Sequence, residues 1–237
     1  MDTPLDIIYQ DEHMVAINKP HGLLVHRSKM AADADVFALQ LLRDQIGQKV
    51  YPAHRIDRKT SGALLFALSE DVDKKLKLKF AERQIRKSYW AIVRGYTQAA
   101  ETIDYPLRKE NGLLQEAVTA YKTLATTEIE VALGKHPTSR YSLIEVLPET
   151  GRMHQIRKHM AHIYHPIIGD RPHGCNKQNK LFKEKWDMDK MMLHAKSLSL
   201  PHPVTEKPVT INAALSSAFE NTIKLLSFKI ENINSNE

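Results

Sequence analysis

The chain has 237 residues, of which 42% are hydrophobic, and its 34 Lys and Arg residues exceed its 28 Asp and Glu residues, giving a formal net charge of +6. The length and hydrophobic content suffice for one large domain with a buried core. The positive balance favours polyanionic partners, because Lys and Arg neutralise phosphates and release counterions. A single cysteine, Cys175, excludes an intrachain disulfide framework. No stretch approaches the roughly 20 apolar residues of a membrane span, and the acidic N-terminus is untypical of a signal peptide, so we expect a cytoplasmic protein with no membrane partner.

The first predicted element is a hairpin. Its two short apolar runs, Ile7 to Tyr9 and Met14 to Ile17, are split by the polar segment QDEH. Apolar residues at helical spacing then predict a helix from Val36 to Ile46 that ends at Gly47. The apolar run from Ala63 to Leu68 predicts a buried strand.

The downstream pattern alternates strands with a few helices. Ser69 begins a helix whose first turn is acidic, which suits the helix dipole. The segment from His173 to Lys190 is Lys-rich with little periodicity, and we expect a surface loop or insertion there. The predicted strands outnumber the helices, and many of the strands follow one another at hairpin spacing. The sequence therefore predicts an α+β domain with a mainly antiparallel sheet and flanking helices. The further strands are expected at Lys87–Arg94, Val118–Thr126, Tyr141–Leu147, Leu193–Leu200 and Val209–Ile211, and the further helices at Met153–Ile163 and Leu215–Phe228.

One carboxylate stands among positive charges directly before the predicted buried strand. In AHRIDRKTSGALLFAL, Asp57 has Arg55, Arg58 and Lys59 as neighbours. One interpretation is a surface ion pair, worth under about 1 kcal/mol. The other is a functional carboxylate that nearby positive charge keeps ionised, as a nucleophile requires. The loop position at the edge of a buried strand supports the second interpretation.

A second group of basic residues lies in ETGRMHQIRKHMAHIYHPIIGD. His154 and Arg157 are three positions apart in a predicted helix and therefore share a face. A helix start with two arginines suits an anion, either a phosphate or the carboxylate of Asp57. The alternative is an ordinary amphipathic helix whose apolar residues point inward and whose basic residues are solvated.

The histidines of this segment do not form a typical metal site. No acidic residue lies on the predicted helix, and Arg157 and Lys158 would repel a cation. We therefore expect no bound metal. The sequence also has no glycine-rich phosphate loop and no dinucleotide fingerprint, so no cofactor is indicated. The four histidines are His154, His159, His162 and His165.

Two adjacent aromatic residues lie in the predicted strand KSYWAIVR. Successive side chains of a strand point to opposite faces, so one of Tyr89 and Trp90 faces the core. A strand tyrosine most often packs in a core or an interface. One that faces a basic cleft could instead stack on a nucleobase, which is worth about 1–3 kcal/mol per base.

Together these motifs resemble those of the RluA-type pseudouridine synthases. The matches run in family order from about Ile7 to about Asn212, which makes the set more specific than any one motif. Ile56 replaces the usual Leu of the aspartate motif. The matching segments are the opening hairpin IIYQDEHMVAINKPHGLLVH, the aspartate motif HRIDRKTSGALLFA, the tyrosine motif KSYWAIVRG, the arginine motif TGRMHQIRKHMAHIYHPIIGD and the late strand LHAKSLSLPHP.

The resemblance implies a mostly antiparallel sheet crossed by a cleft, and a reaction without cofactor or metal. A uridine in RNA is detached at its N1–C1′ bond, and the uracil is turned and rejoined through C5. Cleavage at an anomeric carbon calls for a carboxylate, as in glycosidases. Attack on the sugar, loss of a sugar proton and attack on the base all remain open as the role of that carboxylate.

The resemblance also implies roles by position. Asp57 is the catalytic carboxylate, and Arg157 pairs with it and keeps it ionised. Tyr89 stacks on the uracil, and Leu193 packs under the base. Because the target base lies inside folded RNA it must be flipped out, and Arg55 would fill the vacated place.

The RNA substrate is suggested by two further stretches. GKHPTSRYSLIEVLPETGR and GDRPHGCNKQN are similar to the branch of the family that modifies uridine 65 in the acceptor stem of tRNA. The catalytic hairpin starts almost at the first residue, so we expect one catalytic domain over residues 1–237, without an N-terminal S4 domain and with a frayed tail at 229–237. No obligate protein partner is evident. The alternatives are a synthase acting on ribosomal RNA or another tRNA site, and a non-catalytic RNA-binding protein.

Overall fold

The computed structural model describes residues 4–26 and 36–230 of the chain. Within these residues lie five helices and twelve strands. The helices are α1 (Ala38–Ile46), α2 (Glu70–Ala81), α3 (Gln155–His162), α4 (Asn176–Trp186) and α5 (Ser217–Leu225). The strands are β1 (Ile7–Gln10), β2 (Met14–Lys19), β3 (Tyr51–Pro52), β4 (Ser61–Ala67), β5 (Arg86–Arg94), β6 (Ala100–Asp104), β7 (Leu107–Arg108), β8 (Leu114–Gln115), β9 (Val118–Ile129), β10 (Ser139–Pro148), β11 (Leu193–Pro201) and β12 (Pro208–Asn212).

The chain divides into two compact units. The first contains Met1–Lys87 and Ala195–Ser216, and the second contains Ser88–His194 and Ser217–Glu237. The expectation of a single catalytic domain stays a prediction. Part of the tail expected to fray, residues 231–237, lies outside the described residues.

Antiparallel pairing organises the first unit. Strand β2 pairs with β1 on one side and with β4 on the other, in a register that runs from Met14 opposite Ala67 to Lys19 opposite Gly62. Strand β3 also pairs with β4, and β12 pairs with β11. All seven residues of β4 are buried, which confirms the predicted buried strand.

Helix α2 covers the core of the first unit. Its N-cap residue, Ser69, accepts a hydrogen bond from the backbone N–H of Val72 at 3.3 Å, and its first turn is acidic, as the sequence predicts. Val72 and Leu76 are buried among the side chains of β2, β4, β11 and β12. A fully buried leucine side chain contributes about 1.5–3 kcal/mol relative to an exposed one, so this stripe fixes the helix on the core.

The second unit is built around β10. This strand pairs with β5 on one side and with β9 on the other, and β6 pairs with the free side of β9. The ladder between β10 and β9 runs from Ser139 opposite Ile129 to Pro148 opposite Thr119. The short strands β7 and β8 form a separate hairpin. The α+β class and the mainly antiparallel sheet predicted from the sequence are confirmed.

One prediction is wrong. The segment from His173 to Lys190, expected to be a surface loop or insertion, contains helix α4. Phe182 of this helix is fully buried, and its ring meets the ring of Tyr141 edge-on at a centroid distance of 5.4 Å. The helix is therefore stabilised by packing on β10, which the weak periodicity of a lysine-rich segment does not reveal. No helix in the described part of the chain has the length and apolar character needed to cross a bilayer.

Candidate active site

Asp57 lies in the loop that enters β4. Its backbone carbonyl accepts the N–H of Thr60 at 3.0 Å, which closes a turn directly before the strand. Thr60 and Ser61 are buried, whereas Asp57 is partly exposed. The carboxylate is thus carried on a short turn whose far end belongs to a fully buried strand, and a rigid support of this kind suits a functional group.

A buried lysine without a predicted role, Lys19, stabilises this turn. Lys19 is the last residue of β2, and its side chain is fully buried. Its Nζ donates to the backbone carbonyls of Pro20 at 3.0 Å, Leu23 at 2.9 Å and Arg58 at 3.1 Å. An ammonium group has three N–H donors, so the three carbonyls use all of them.

The loop that follows Lys19 is also bonded to the residue after Asp57. The N–H of Gly22 donates to the carbonyl of Arg58 at 2.8 Å, and Nε of Arg58 donates to the carbonyl of Gly22 at 3.1 Å. Burial lowers the pKa of Lys19 to about 7, and the negative charge of Asp57 opposes this shift. The local sequence feature at this brace is the Lys19-Pro20 pair, which lies just after the predicted hairpin strand Met14 to Ile17.

Gly62 lets a second strand approach the Asp57 turn. Its φ is +108°, and a Cβ at this position would lie 2.2 Å from the backbone oxygen of Ala195 in β11. Glycine is required for both reasons, because other residues avoid this φ and the neighbouring backbone leaves no room. The Thr-Ser-Gly turn is therefore fixed by contact with the late Leu-His-Ala strand.

His54 fixes the chain before Asp57. Its Nε2 accepts the N–H of Leu65 at 3.1 Å, and its ring lies 4.9 Å from the ring of Phe80. Burial lowers the pKa of His54 to about 3, and the positive charge of Lys87 lowers it further. The ring is therefore neutral at physiological pH, as its role of hydrogen-bond acceptor requires.

Arg55 is exposed on the same loop. Among the described residues it makes no hydrogen bond or ion pair with another side chain. An exposed arginine two residues from the carboxylate is compatible with insertion into an RNA stack, and that role stays a prediction.

Arg157 lies in the first turn of α3 in the second unit. Its Nε and Nη2 donate to the two carboxylate oxygens of Asp170, each at 2.8 Å, and both side chains are buried. Asp170 is the last residue of the arginine motif, and no role was predicted for it. The predicted partner of Arg157, Asp57, belongs to the other unit, and their pairing stays a prediction.

Helix α4 holds Asp170 in place. Asn179 donates through Nδ2 to the carbonyl of Asp170 at 2.7 Å, and its Oδ1 accepts the N–H of Gly169 at 2.9 Å. Gly169 has a φ of +78°, and a Cβ there would lie 2.0 Å from the backbone oxygen of Lys190. The helix missed from the sequence therefore positions the partner of Arg157.

Tyr89 and Leu193, the other predicted substrate-binding residues, lie on β5 and at the start of β11. Tyr89 is half-buried opposite Val146 of β10. Leu193 is buried, and the residue before it, Met192, accepts the N–H of Ile92 of β5 at 3.1 Å. The roles of Tyr89 and Leu193 stay predictions.

Each of the four histidines around α3 contacts at least one other residue, and Tyr105 contacts two of them. Burial lowers the pKa of His159, which lies fully buried between two oxygens. The contacts are His154 with His173 at 3.0 Å, His159 with the Thr119 hydroxyl and the Tyr105 carbonyl at 2.9 Å each, His162 stacked on Tyr105 at 3.6 Å, and His165 with the Arg94 carbonyl at 2.8 Å.

Comparison with known sequences identifies the family. The RNA pseudouridylate synthase family model matches residues 13–162. Curated tRNA pseudouridine synthases C are similar over nearly the whole chain. The protein of Yersinia pestis is 49% identical over 220 residues, 88% of this chain and 86% of that protein. The protein of Vibrio cholerae is 46% identical over 230 residues (92% and 94%), and that of Pasteurella multocida is 44% identical over 240 residues (97% and 99%).

Solved structures agree. Human RNA pseudouridylate synthase domain containing 4 superposes with a TM-score of 0.76 at 25% identity, over 96% of this chain and 95% of that chain. Human RNA pseudouridylate synthase domain containing 1 shares the fold, with a TM-score of 0.70 at 22% identity over 94% of each chain. These matches confirm the resemblance on which the site residues were chosen. The chain is an enzyme of the RNA pseudouridylate synthase family.

Proposed function

We propose that this protein converts uridine 65 of tRNA to pseudouridine, in the cytoplasm and without a cofactor. The observation that carries the chemistry is the Asp57 turn. A partly exposed carboxylate is held there by Lys19, His54 and Gly62 at the start of a fully buried strand. The relatives named tRNA pseudouridine synthase C, 44–49% identical over most of the chain, support tRNA as the substrate.

The reaction is an isomerisation in which atoms balance within the substrate. The N1–C1′ bond breaks, the uracil rotates, a C5–C1′ bond forms, the proton on C5 is lost and N1 gains a proton. The anomeric carbon becomes electron-poor as the first bond breaks, and a fixed carboxylate stabilises or captures it. A carboxylate can also take a proton from the sugar or attack the base. We assign Asp57 to this position under each of these routes.

The other predicted residues bind the substrate. Arg157, held rigidly by Asp170, supplies a fixed positive charge for the carboxylate or a phosphate. Tyr89 offers a ring for stacking on the flipped uracil, and Leu193 offers an apolar surface under it. Arg55 is assigned to the gap that the flipped base leaves in the RNA stack.

Loss of the C5 proton gives a direct test. Unmodified tRNA transcripts carrying tritium at uracil C5 are incubated with the wild type and with Asp57→Asn, without added metal or cofactor. We expect tritium release by the wild type only, and no release from a transcript in which uridine 65 is replaced by cytidine. Release that persists in the cytidine transcript would move the site elsewhere in tRNA. Release from ribosomal RNA but not from tRNA would show that ribosomal RNA is the substrate instead. Release by Asp57→Asn would contradict the assignment of Asp57.

A further inference from the structure

A basic groove lies in the second unit between the β7–β8 hairpin and the start of α3. Its volume is about 520 Å³, and most of the residues that line it are exposed. Four of them are cationic, Arg108, Lys109, Arg152 and Lys158, whereas Glu110 is the one carboxylate in the lining. The groove is therefore a concave, strongly positive surface, and Lys158 directly follows Arg157 in the chain.

The two arginines are fixed in place without being neutralised. Nε of Arg152 donates to the carbonyl of Glu116 at 3.0 Å, and Nη1 of Arg108 donates to the carbonyl of Gly112 at 3.1 Å. A guanidinium has five N–H donors, so each arginine keeps most of its donors for another acceptor. None of the ion pairs among residues 4–26 and 36–230 involves the four cations of the groove.

Uncompensated cations in a concave site favour a polyanion. Like charges placed close together repel one another, and phosphates remove that repulsion while they release their counterions. Arginine forks match the geometry of phosphate oxygens. A charged groove that follows a nucleic-acid backbone is the usual form of such a site. The exposed lining suits a passing strand better than a small anion, which would need to be enclosed.

We propose that this groove binds the phosphate backbone of the substrate RNA outside the nucleotide that is isomerised. The proposal rests on the proposed function and adds a second RNA contact to it. The groove cations act on the bound strand equally before and during the reaction. Their loss should therefore raise KM and leave kcat nearly unchanged.

Lys109 and Lys158 are the best positions for a test. Among the described residues neither side chain makes a hydrogen bond or an ion pair, so their replacement should not unfold the hairpin or α3. We expect the double variant Lys109→Gln, Lys158→Gln to raise KM for tRNA about tenfold and to change kcat less than twofold. The plot of log Kd against log salt concentration should become shallower by about 1–2, because each lost phosphate contact contributes slightly less than one unit.

Lys224→Gln is the matched control. Lys224 is exposed on α5, and the end of this helix is attached to the far end of β9, where the Thr127 hydroxyl donates to the carbonyl of Leu226 at 2.7 Å. The groove adjoins the other end of β9, where Val118 begins the strand, about 30 Å away at the usual rise of an extended chain. The control should leave KM and the salt slope unchanged.

The two measurements separate this proposal from the proposed function. If the wild type releases no tritium from tRNA, the proposed function fails, and the salt dependence of tRNA binding still tests the groove. An unchanged KM and salt slope in the double variant would overturn the proposal. A second result would also overturn it. If uridine monophosphate or inorganic phosphate competes for the groove of the wild type, and the double variant loses this competition but binds RNA unaltered, the groove is a small-anion site.

Discussion

Arg157 and Asp170 form a bidentate ion pair in which the guanidinium is 5% exposed and the carboxylate 1% exposed. Two parallel bonds of 2.8 Å fix the plane of the guanidinium as well as its position. A predicted substrate-binding arginine is therefore oriented by a carboxylate that is itself held by Asn179 of α4. We therefore expect the protein to tolerate changes at Asp170 poorly, because removing one partner of a buried ion pair is strongly unfavourable.

Replacement of Asp170 should destabilise the protein. Asp170→Asn preserves the shape of the side chain but removes the buried negative charge that Arg157 binds through two hydrogen bonds, and we expect the free energy of unfolding in urea to fall by about 3–5 kcal/mol. The double variant Arg157→Met, Asp170→Leu removes both charges and should recover much of that lost stability. It should release no tritium, because it lacks the predicted substrate-binding residue Arg157. A loss below about 1 kcal/mol for Asp170→Asn would contradict a structural role for the pair.

Replacement of Lys19 should damage the Asp57 turn. Lys19→Met keeps the apolar stem but removes the hydrogen bonds from Nζ to the carbonyls of Pro20, Leu23 and Arg58. The Arg58 carbonyl keeps the N–H of Gly22 as a donor, whereas a carbonyl left unsatisfied in a buried position costs about 1–3 kcal/mol. We expect a lower urea midpoint and a fall in kcat that exceeds the rise in KM. Lys59→Met, on the partly exposed side of the same loop, is the control and should change stability by less than about 0.5 kcal/mol. Equal stability of the two variants would contradict the brace.

Substitution of Gly62 separates a steric requirement from a conformational one. Gly62→Ala must shift the backbone of Ala195 and adopt a φ of +108°, so we expect a loss of about 3 kcal/mol or more. Gly47→Ala, at a φ of +65° with no atom within 4 Å of the new Cβ, should cost only about 1 kcal/mol. Thermal unfolding of both variants measures the difference. Equal costs would show that the approach of β11 to Gly62 tolerates a methyl group.

The pKa of His54 predicts how stability depends on pH. Between about pH 6.5 and about pH 3 the unfolded chain binds a proton at His54 that the folded protein excludes. More protons are then bound in the unfolded state, so this group makes the free energy of unfolding fall as the pH falls through that window. His54→Gln keeps an acceptor for the N–H of Leu65 but does not titrate, and it should show a smaller loss between pH 7.5 and pH 5. An identical loss in the two proteins would contradict the prediction.

Arg55 can be tested through the structure of the RNA. If its side chain fills the gap left by a flipped base, Arg55→Ala should lower turnover more for a tRNA in which uridine 65 is base-paired than for a loosely structured RNA of the same sequence, since only the paired substrate must be opened. Single-turnover rates on the two substrates give the ratio. Equal losses on both would assign Arg55 to general electrostatic attraction instead.

The sequence by itself determined the family, the α+β class, the buried strand β4 and the candidate carboxylate Asp57. These features depend on local patterns: alternation and apolar runs set the strands, and the order of the motifs identifies the family. Helix α2 could also be predicted from the sequence, because its cap, its acidic first turn and its apolar stripe all lie within a few residues of one another.

Only the tertiary structure decided what supports the site. Lys19 reaches the carbonyl of Arg58 across 39 residues, and Arg157 reaches Asp170 across 13, and no spacing rule foretells such bonds. Helix α4 is weakly periodic and is stabilised by Phe182 packed on Tyr141. The physical reason is common to all three: burial makes an isolated charge or an exposed apolar face costly, and the chain meets that cost with partners that only folding brings together.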